Sequence, residues 1–346
     1  MDVAFVTGAT GFVGANLVRL LIEKGLRVRA LVRPSSDLGN LEKIDVEKVE
    51  GDLRDKASLR AACRGARFAF NVAADYRIFV PNPQEMYESN VTGSVNLVEA
   101  AHSQGVERIV HCSSVAAVKP PNLGEIADES NEFANENEIV SVYKKSKWLS
   151  ETAVLKKARE GVPVVVVNPA APIGPYDIKP TPTGKIVTDF LNKKLPSYLD
   201  TGLNVVHVQD VAHGHYLAAL KGKVGHRYIL GSENMSFKAI LDELADLTGL
   251  PSPRFQTPYP VAYAFGALDT LRARIFGGQP IAPLDAVRMA KYKMYYDSRK
   301  AVRELGFAPK PAREALRDAV SWFCENGYAP VPPKLSGPNK KAYASP

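Results

Sequence analysis

The apolar run Val3-Ala4-Phe5-Val6 passes directly into Thr7-Gly8-Ala9-Thr10-Gly11-Phe12-Val13-Gly14, and an amphipathic stretch begins at Asn16-Leu17-Val18-Arg19-Leu20-Leu21. A short buried strand, three evenly spaced glycines and a helix leave little choice of geometry. Gly8 permits a tight turn, Gly11 lets the backbone approach a pyrophosphate, and Gly14 lets the helix pack closely on the strand. The helix start turns unpaired N–H groups and a partial positive charge toward that anion. Glycines also punctuate ordinary turns, so the weight of the reading lies in their placement between strand and helix. The segment predicts a dinucleotide-binding turn, with Thr7, Gly8, Thr10, Gly11, Phe12, Val13 and Gly14 around the phosphates.

The first two-thirds of the chain repeats this alternation. Apolar runs at 2–7, 27–32, 46–51, 67–72, 107–113 and 162–168 predict strands. The last contains Val164-Val165-Val166-Val167, as suits a parallel strand buried on both faces. Helices are predicted over 12–24, 56–64, 84–104 and 141–160. Right-handed crossovers then give an α/β fold, a Rossmann-type doubly wound parallel sheet whose ligand crevice lies at the strands' carboxyl ends. Gly8–Gly14, Asp52, Ala73-Ala74 and Ser113-Ser114 should converge there.

Past Pro169 the pattern loosens. Residues 169–184 carry five prolines and read as a long loop. Short strands near 204–208 and 226–230 and helices near 209–221, 236–248 and 260–276 follow. The expected organisation is a dinucleotide-binding domain over 1–169, to which 204–222 returns, with a smaller interleaved C-terminal substrate lobe from 170–203 and 223–327. Residues 328–346, rich in Pro, Lys, Ser and Ala, predict a disordered tail.

Of the 346 residues, 45% are hydrophobic and 23% charged, an ordinary globular balance. No apolar run is long enough for a membrane span, and Met1-Asp2 leads straight into the first strand, leaving no room for a signal peptide. Cys63, Cys112 and Cys324 are scattered and odd in number. They argue against a disulfide framework and against a zinc site, and suit a reducing cytoplasm. The formal net charge is +7, with Lys and Arg interspersed among Asp and Glu. That predicts a solvated surface rather than a nucleic-acid stripe, and leaves attraction to anionic substrates or anionic lipid open.

Tyr143-Lys144-Lys145-Ser146-Lys147 supplies a Tyr-x-x-x-Lys pair, and positions four apart share a helix face. A free tyrosine has a pKa of about 10. An ammonium about 4 Å away favours the phenolate by ~4 kcal/mol at an effective dielectric near 20, so such a pair can exchange a proton with an oxygen while a hydride moves at the adjacent carbon. The spacing alone says little, since Tyr296 and Lys300 repeat it. The first pair is preferred because it follows strand 107–113, which ends in Cys112-Ser113-Ser114. A serine hydroxyl there can steady the reacting oxygen; alone, Ser113 and Ser114 read equally well as a strand end.

Thr7–Gly14, Ser114, Tyr143 and Lys147 together resemble the extended short-chain dehydrogenase/reductases, over nearly the whole chain to about residue 327. Within that superfamily the chain most resembles the hopanoid-associated sugar epimerases, themselves similar to dihydroflavonol reductases. The residues concerned are Val72-Ala73-Ala74-Asp75-Tyr76, Asn168-Pro169, Pro172-Ile173-Gly174-Pro175, Lys179–Gly184 and Asp200–Val208. The resemblance implies Ser114, Tyr143 and Lys147 as a proton-handling triad, with Ser113 beside it and Tyr143 and Lys147 also touching the cofactor. It implies Asp52 and Leu53 at the adenine, and Val72, Ala73, Ala74 and Pro169 on the nicotinamide side. Two departures stand out: Asn71 replaces the histidine of many relatives, and Val167-Asn168-Pro169 lacks the Tyr-Phe-Asn of typical nucleotide-sugar epimerases. The superfamily commonly dimerises through a helix pair, which makes a homodimer an expectation.

Dinucleotide folds select their cofactor about 20 residues past the glycines, where an acid accepts from the ribose 2′-OH and repels a 2′-phosphate. Here Leu31-Val32-Arg33-Pro34-Ser35-Ser36 has no acid before Asp37. Arg33 offers a cationic fork and Ser35 or Ser36 a hydroxyl, so NADP(H) is expected over NAD(H); Arg33 stacked on adenine is the alternative. The leading expectation is a reductase of a sugar-like or hopanoid polyol carbonyl. An epimerase that returns its hydride to the opposite face is the runner-up, and a non-enzymatic dinucleotide sensor a third class.

Tyr76, Thr181, Thr183 and His207 are substrate contacts by the same resemblance; a structural histidine and loop-capping threonines are the plain alternative. His213 and His215 do not share a helical face, and no metal is assigned. Val261, Phe265, Leu268, Leu271 and Ile275 recur at helical spacing with Arg272 and Arg274 nearby. They predict a core-packing helix, with weak docking on a membrane surface as the alternative.

Overall fold

The computed structural model describes residues 1–122 and 124–336. Its main sheet has seven parallel strands: β1 (Val3–Thr7), β2 (Arg27–Val32), β3 (Glu47–Glu50), β4 (Phe68–Asn71), β5 (Arg108–Cys112), β6 (Val164–Pro169) and a later strand at Arg227–Leu230, in the spatial order 227–230, β6, β5, β4, β1, β2, β3. The order reverses between β1 and β4, so the crevice of a doubly wound sheet opens at their carboxyl ends. Helices α1 (Phe12–Glu23), α2 (Lys56–Cys63), α3 (Pro83–Tyr87), α4 (Gly93–Ser103) and α5 (Val142–Arg159) make the connections. One face buries Leu17, Val18 and Leu21, and the other Leu59, Leu97 and Val154. β6 is buried along its whole length, as its valine run requires.

The smaller lobe holds β7 (Ala171–Ile173), β8 (Ser197–Tyr198) and β9 (Gly202–His207), followed after β10 (Arg227–Leu230) by β11 (Glu233–Ser236), β12 (Phe255–Gln256) and β13 (Lys293–Met294). β7, β11 and β13 all pair with β9, and β12 pairs with β8. Its helices are α6 (Pro182–Leu191), α8 (Phe237–Thr248), α9 (Tyr259–Phe276), α10 (Leu284–Met289) and α12 (Ala312–Glu325). Phe190, Leu241, Leu244, Leu316 and Phe323 form its core.

Four expectations are corrected. Strand 204–208 does not return to the main sheet. Its Asn204 donates to Asn234 Oδ1 (2.8 Å) and the Tyr296 carbonyl (3.0 Å) and accepts from Ser232 N–H (2.8 Å), which ties it to β11 and to the residues after β13 instead. Helix α7 (Val208–Lys221) alone returns, against α1 and the sheet. In its place β10, with Tyr228, Ile229 and Leu230 fully buried, joins β6, and α11 (Arg299–Leu305) packs over it.

Helix 84–104 is interrupted by a π turn at Glu88–Thr92. There Asn90 is buried, accepts from Asp75 N–H (2.7 Å), and donates to the Asp75 carbonyl (2.8 Å) and Ser146 Oγ (3.0 Å). The tail is ordered to residue 336: Tyr328 stacks on Trp322 and donates to the Ile178 carbonyl (2.7 Å), and α13 (Pro333–Ser336) follows. The remainder of the predicted tail, 337–346, lies outside the described residues. Finally, α9 buries its small and polar side, Gly266, Asp269, Thr270 and Ala273. The predicted core stripe faces outward, with Leu268 68% and Ile275 64% exposed. Gly266 fits closely beneath Val287 of α10, so here close helix approach rather than apolar bulk decides which side is buried.

Candidate active site

At the end of β1, Gly8 has φ +68°, and a Cβ there would lie 2.6 Å from the Ala73 nitrogen. A Cβ on Gly14 would overlap the Gly8 carbonyl oxygen. These glycines let β1, α1 and the segment after β4 meet at the crevice. Gly11 N–H donates to the Gly8 carbonyl (2.9 Å), and no side chain caps α1. Its first N–H groups therefore remain for an anion. Gly11 is exposed and Thr10 and Val13 are half-buried, while Phe12 and Thr7 point into the protein. Thr7 Oγ1 donates to Asn71 Oδ1 (3.0 Å) and accepts from Ala73 N–H (3.2 Å), which makes it a tie between β1 and β4. The backbone cradle fits a pyrophosphate.

Beyond β2, Arg33 is exposed and forms no ion pair among the described residues. Its N–H donates to Ser36 Oγ (2.9 Å), and Ser36 N–H returns a bond to the Arg33 carbonyl (2.9 Å). Ser36 thus closes the turn and keeps its own proton free to donate. Asp52 accepts from Arg54 Nε (2.8 Å) and Nη2 (2.7 Å), and this pairing holds its carboxyl down at about 2. It is a fixed anion at the rim. Leu53 is buried, with its carbonyl tied to Asn96 (3.0 Å).

The residues expected to handle the proton, Ser114, Tyr143 and Lys147, lie at the end of β5 and in the first turns of α5. The Ser114 hydroxyl lies beside the Tyr143 phenol, and its Oγ accepts from Ala116 N–H (3.1 Å). Burial pushes the Tyr143 phenol up to about 12, and the neighbouring Ser114 hydroxyl acts the other way, toward the phenolate. The expectation that Lys147 does so is corrected: the Lys147 ammonium, itself buried, donates to the Cys112 carbonyl (2.8 Å), and burial lowers its pKa. Ser113 Oγ is buried without a partner among the described residues, a polar atom open to a ligand hydroxyl. Half-buried Val72, Ala73 and Ala74 and buried Pro169 complete this end of the crevice. The second Tyr-x-x-x-Lys pair is structural, with Tyr296 buried against the Val115 carbonyl (3.3 Å) and Lys300 on the Arg227 carbonyl (2.8 Å).

Behind these residues lie buried polar networks. Asn71 donates to Ser94 Oγ (3.0 Å) and lies 3.1 Å from His111 Nδ1, whose Nε2 meets Ser150 of α5 at 3.3 Å. Asn71 therefore couples β1, β4, β5 and α5. Asn168 donates to the Ser114 carbonyl (2.9 Å) and Glu151 (2.6 Å), and Glu151 pairs with Arg227 (2.8 Å). The available signal was polarity where burial is forced: His111 inside a strand and Asn168 at the end of four valines.

Three residues proposed as substrate contacts are occupied with structure. His207 caps α7 through Gln209 N–H (3.0 Å) and meets Asp318 at 3.2 Å. Thr181 caps α6 and donates to Asp177 (2.8 Å), and Thr183 donates to the Pro172 carbonyl (2.7 Å). Only Tyr76 is exposed. His213 is exposed and His215 buried on the Val211 carbonyl.

A glycine cradle at the switch point and a serine–tyrosine pair beside a buried lysine define an oxidoreductase or epimerase that depends on a nicotinamide dinucleotide. The chain belongs to the NAD dependent epimerase/dehydratase family, whose model matches residues 4–231. It is 45% identical to a putative dihydroflavonol 4-reductase of Synechocystis over 94% of this chain and 96% of that one. It is 36% identical to sterol demethylase protein B of Methylococcus capsulatus, over 93% and 98%. Among solved structures, gox2253 superposes with a TM-score of 0.85 at 43% identity, covering 95% of this chain and 100% of that one. A nucleoside-diphosphate-sugar epimerase from Pseudomonas aeruginosa does so at 0.80 with 26% identity, covering 95% and 99%.

Proposed function

We propose that this protein is an NADP(H)-dependent reductase acting at a carbonyl or carbinol carbon of a sugar-like or hopanoid polyol substrate. The observation that carries it is the Tyr143 phenol beside the Ser114 hydroxyl at the end of β5, with Lys147 buried on the Cys112 carbonyl (2.8 Å). A phenol pushed up to about 12 keeps its proton, and that proton suits an oxygen becoming an alkoxide. The dinucleotide, when bound, supplies the hydride at the adjacent carbon. Tyr143 delivers the proton, Ser114 steadies the oxygen, and Lys147 holds the cofactor ribose and the end of β5. Glu151, Asn168 and Arg227 fix the Ser114 backbone from behind.

The preference for NADP(H) rests on Arg33 and Ser36, an unpaired guanidinium and a free hydroxyl beyond β2. Net reduction is favoured by the relatives named reductases. The lipid-like end of the substrate range draws on the sterol demethylase relative. The experiment is mass spectrometry of any cofactor retained on purification, followed by a carbonyl and nucleotide-sugar panel at the NADPH absorbance. Stoichiometric NADPH loss supports the reductase. Retained cofactor, with isomerised sugar and no net oxidation, replaces it with the epimerase. We assign the enzyme to the cytoplasm, where its free thiols stay reduced. We also propose that the outward face of α9 rests on an anionic membrane surface.

A further inference from the structure

Beside the start of α5 lies a cavity of about 990 Å³, near the upper end of the roughly 300–1,000 Å³ usual for ligand pockets. Its walls are the segment after Ser114 and the segment leading into β13. Ile126, Phe133, Val140, Met289 and Tyr292 give it an apolar body. Lys119, Lys144, Lys291 and Lys293 supply cations, and Glu125 and Glu138 the lining acids. Both acids are engaged: Glu138 pairs with Lys119 (3.0 Å), and Glu125 accepts from Asn122 (2.9 Å). Lys293 pairs with Asp200 (3.1 Å) outside the cavity.

Lys144 is different. It adjoins Tyr143 in the first turn of α5 and is 5% exposed. Its N–H is bound to the Ser141 cap (3.1 Å), but its ammonium has no ion pair or hydrogen bond among the described residues. Burial alone acts on it, lowering its pKa to about 8. Holding an unpaired ammonium at the cavity wall on a side chain otherwise buried costs solvation, and a methionine would fill the same space without that cost. A charge kept at such a place is explained by something that arrives to meet it.

We propose that this cavity anchors the substrate, holding an anionic group, carboxylate or phosphate, carried on an apolar body, with Lys144 as the counter-ion. Lys144 follows Tyr143 in the first turn of α5, so the anchored anion and the proton donor are held on one rigid turn. The proposal rests on the reading of Tyr143 as proton donor only for that relation; anion binding itself does not depend on it.

The test is calorimetric titration of the full chain with octanoate, octyl phosphate and octan-1-ol. Wild type should bind at least one of the two anions tenfold or more tighter than the alcohol, and whichever binds tighter identifies the head group. Lys144→Met should erase that preference while leaving octanol binding within twofold, and Lys144→Arg should retain it. Equal affinity of wild type for all three probes overturns the proposal without any variant, and so does an undiminished preference in Lys144→Met. NADPH titrated into the same samples reports separately. Wild type that fails to bind NADPH removes the dinucleotide reading and leaves the anion result standing.

Discussion

Tyr143 keeps its proton because desolvation disfavours the phenolate, and Ser114 is the neighbour that eases ionisation. Tyr143→Phe should therefore lower kcat by about 10²–10⁴-fold with the far-UV spectrum unchanged; retained turnover would end the mechanism. Reduction uses the phenol, which is present below its pKa and lost above it. Since Ser114 favours the phenolate, Ser114→Ala should move the alkaline limb of the kcat/KM profile to higher pH and lower the plateau roughly 10²-fold. A limb that stays in place would mean that another group titrates. Arg33 makes a separate prediction. Arg33→Met should weaken NADPH binding tenfold or more and leave the NADH Kd unchanged, as loss of a phosphate-binding fork requires; equal effects on both cofactors would reduce it to a cation stacked on adenine.

The π turn at Glu88–Thr92 shows what an element can hide from its own periodicity. The apolar spacing of 84–104 predicts one helix, yet buried Asn90 needs an extra backbone residue to reach both Asp75 and Ser146. π turns often lie at functional sites, and this one ties the segment after β4 to the helix bearing Tyr143. Asn90→Ala leaves the Asp75 N–H, the Asp75 carbonyl and Ser146 short of a partner. It should cost about 2–4 kcal/mol in urea unfolding and lower kcat/KM; an unchanged midpoint would show that water replaces the amide. The placement of the glycine turn, Ser114, Tyr143 and Lys147 in the fold was legible because each sits at a fixed place on a strand end or helix face. His207, Thr181 and Thr183 left two readings open because a cap and a ligand use the same polar groups. Which strand joins which sheet was not legible, since Asn204 and Tyr228 are sorted by long-range hydrogen bonds and burial that a local pattern does not encode.

At the scale of the whole molecule, α9 leaves Val261, Phe265, Leu268, Leu271, Ile275 and Phe276 facing outward. Helical spacing was read correctly, but spacing does not say which side meets the core. Between Arg254 and Lys293 the chain carries six basic residues and two acidic ones. Both acids are already paired, Asp269 with Arg272 (2.8 Å) and Asp285 with Arg288 (3.5 Å). An apolar helix face in a net cationic segment matches an anionic bilayer surface better than a second copy of itself, whose like charges would repel. The full chain should float with vesicles of phosphatidylglycerol and phosphatidylcholine, and much less with phosphatidylcholine alone or at high salt. Phe265→Ser combined with Leu268→Ser should abolish flotation while NADPH binding and Tm stay within error, because neither side chain is buried. If the double variant still floats, or if wild type never does, the membrane assignment fails. If the variant instead turns a dimer into a monomer in sedimentation, the face belongs to a partner copy.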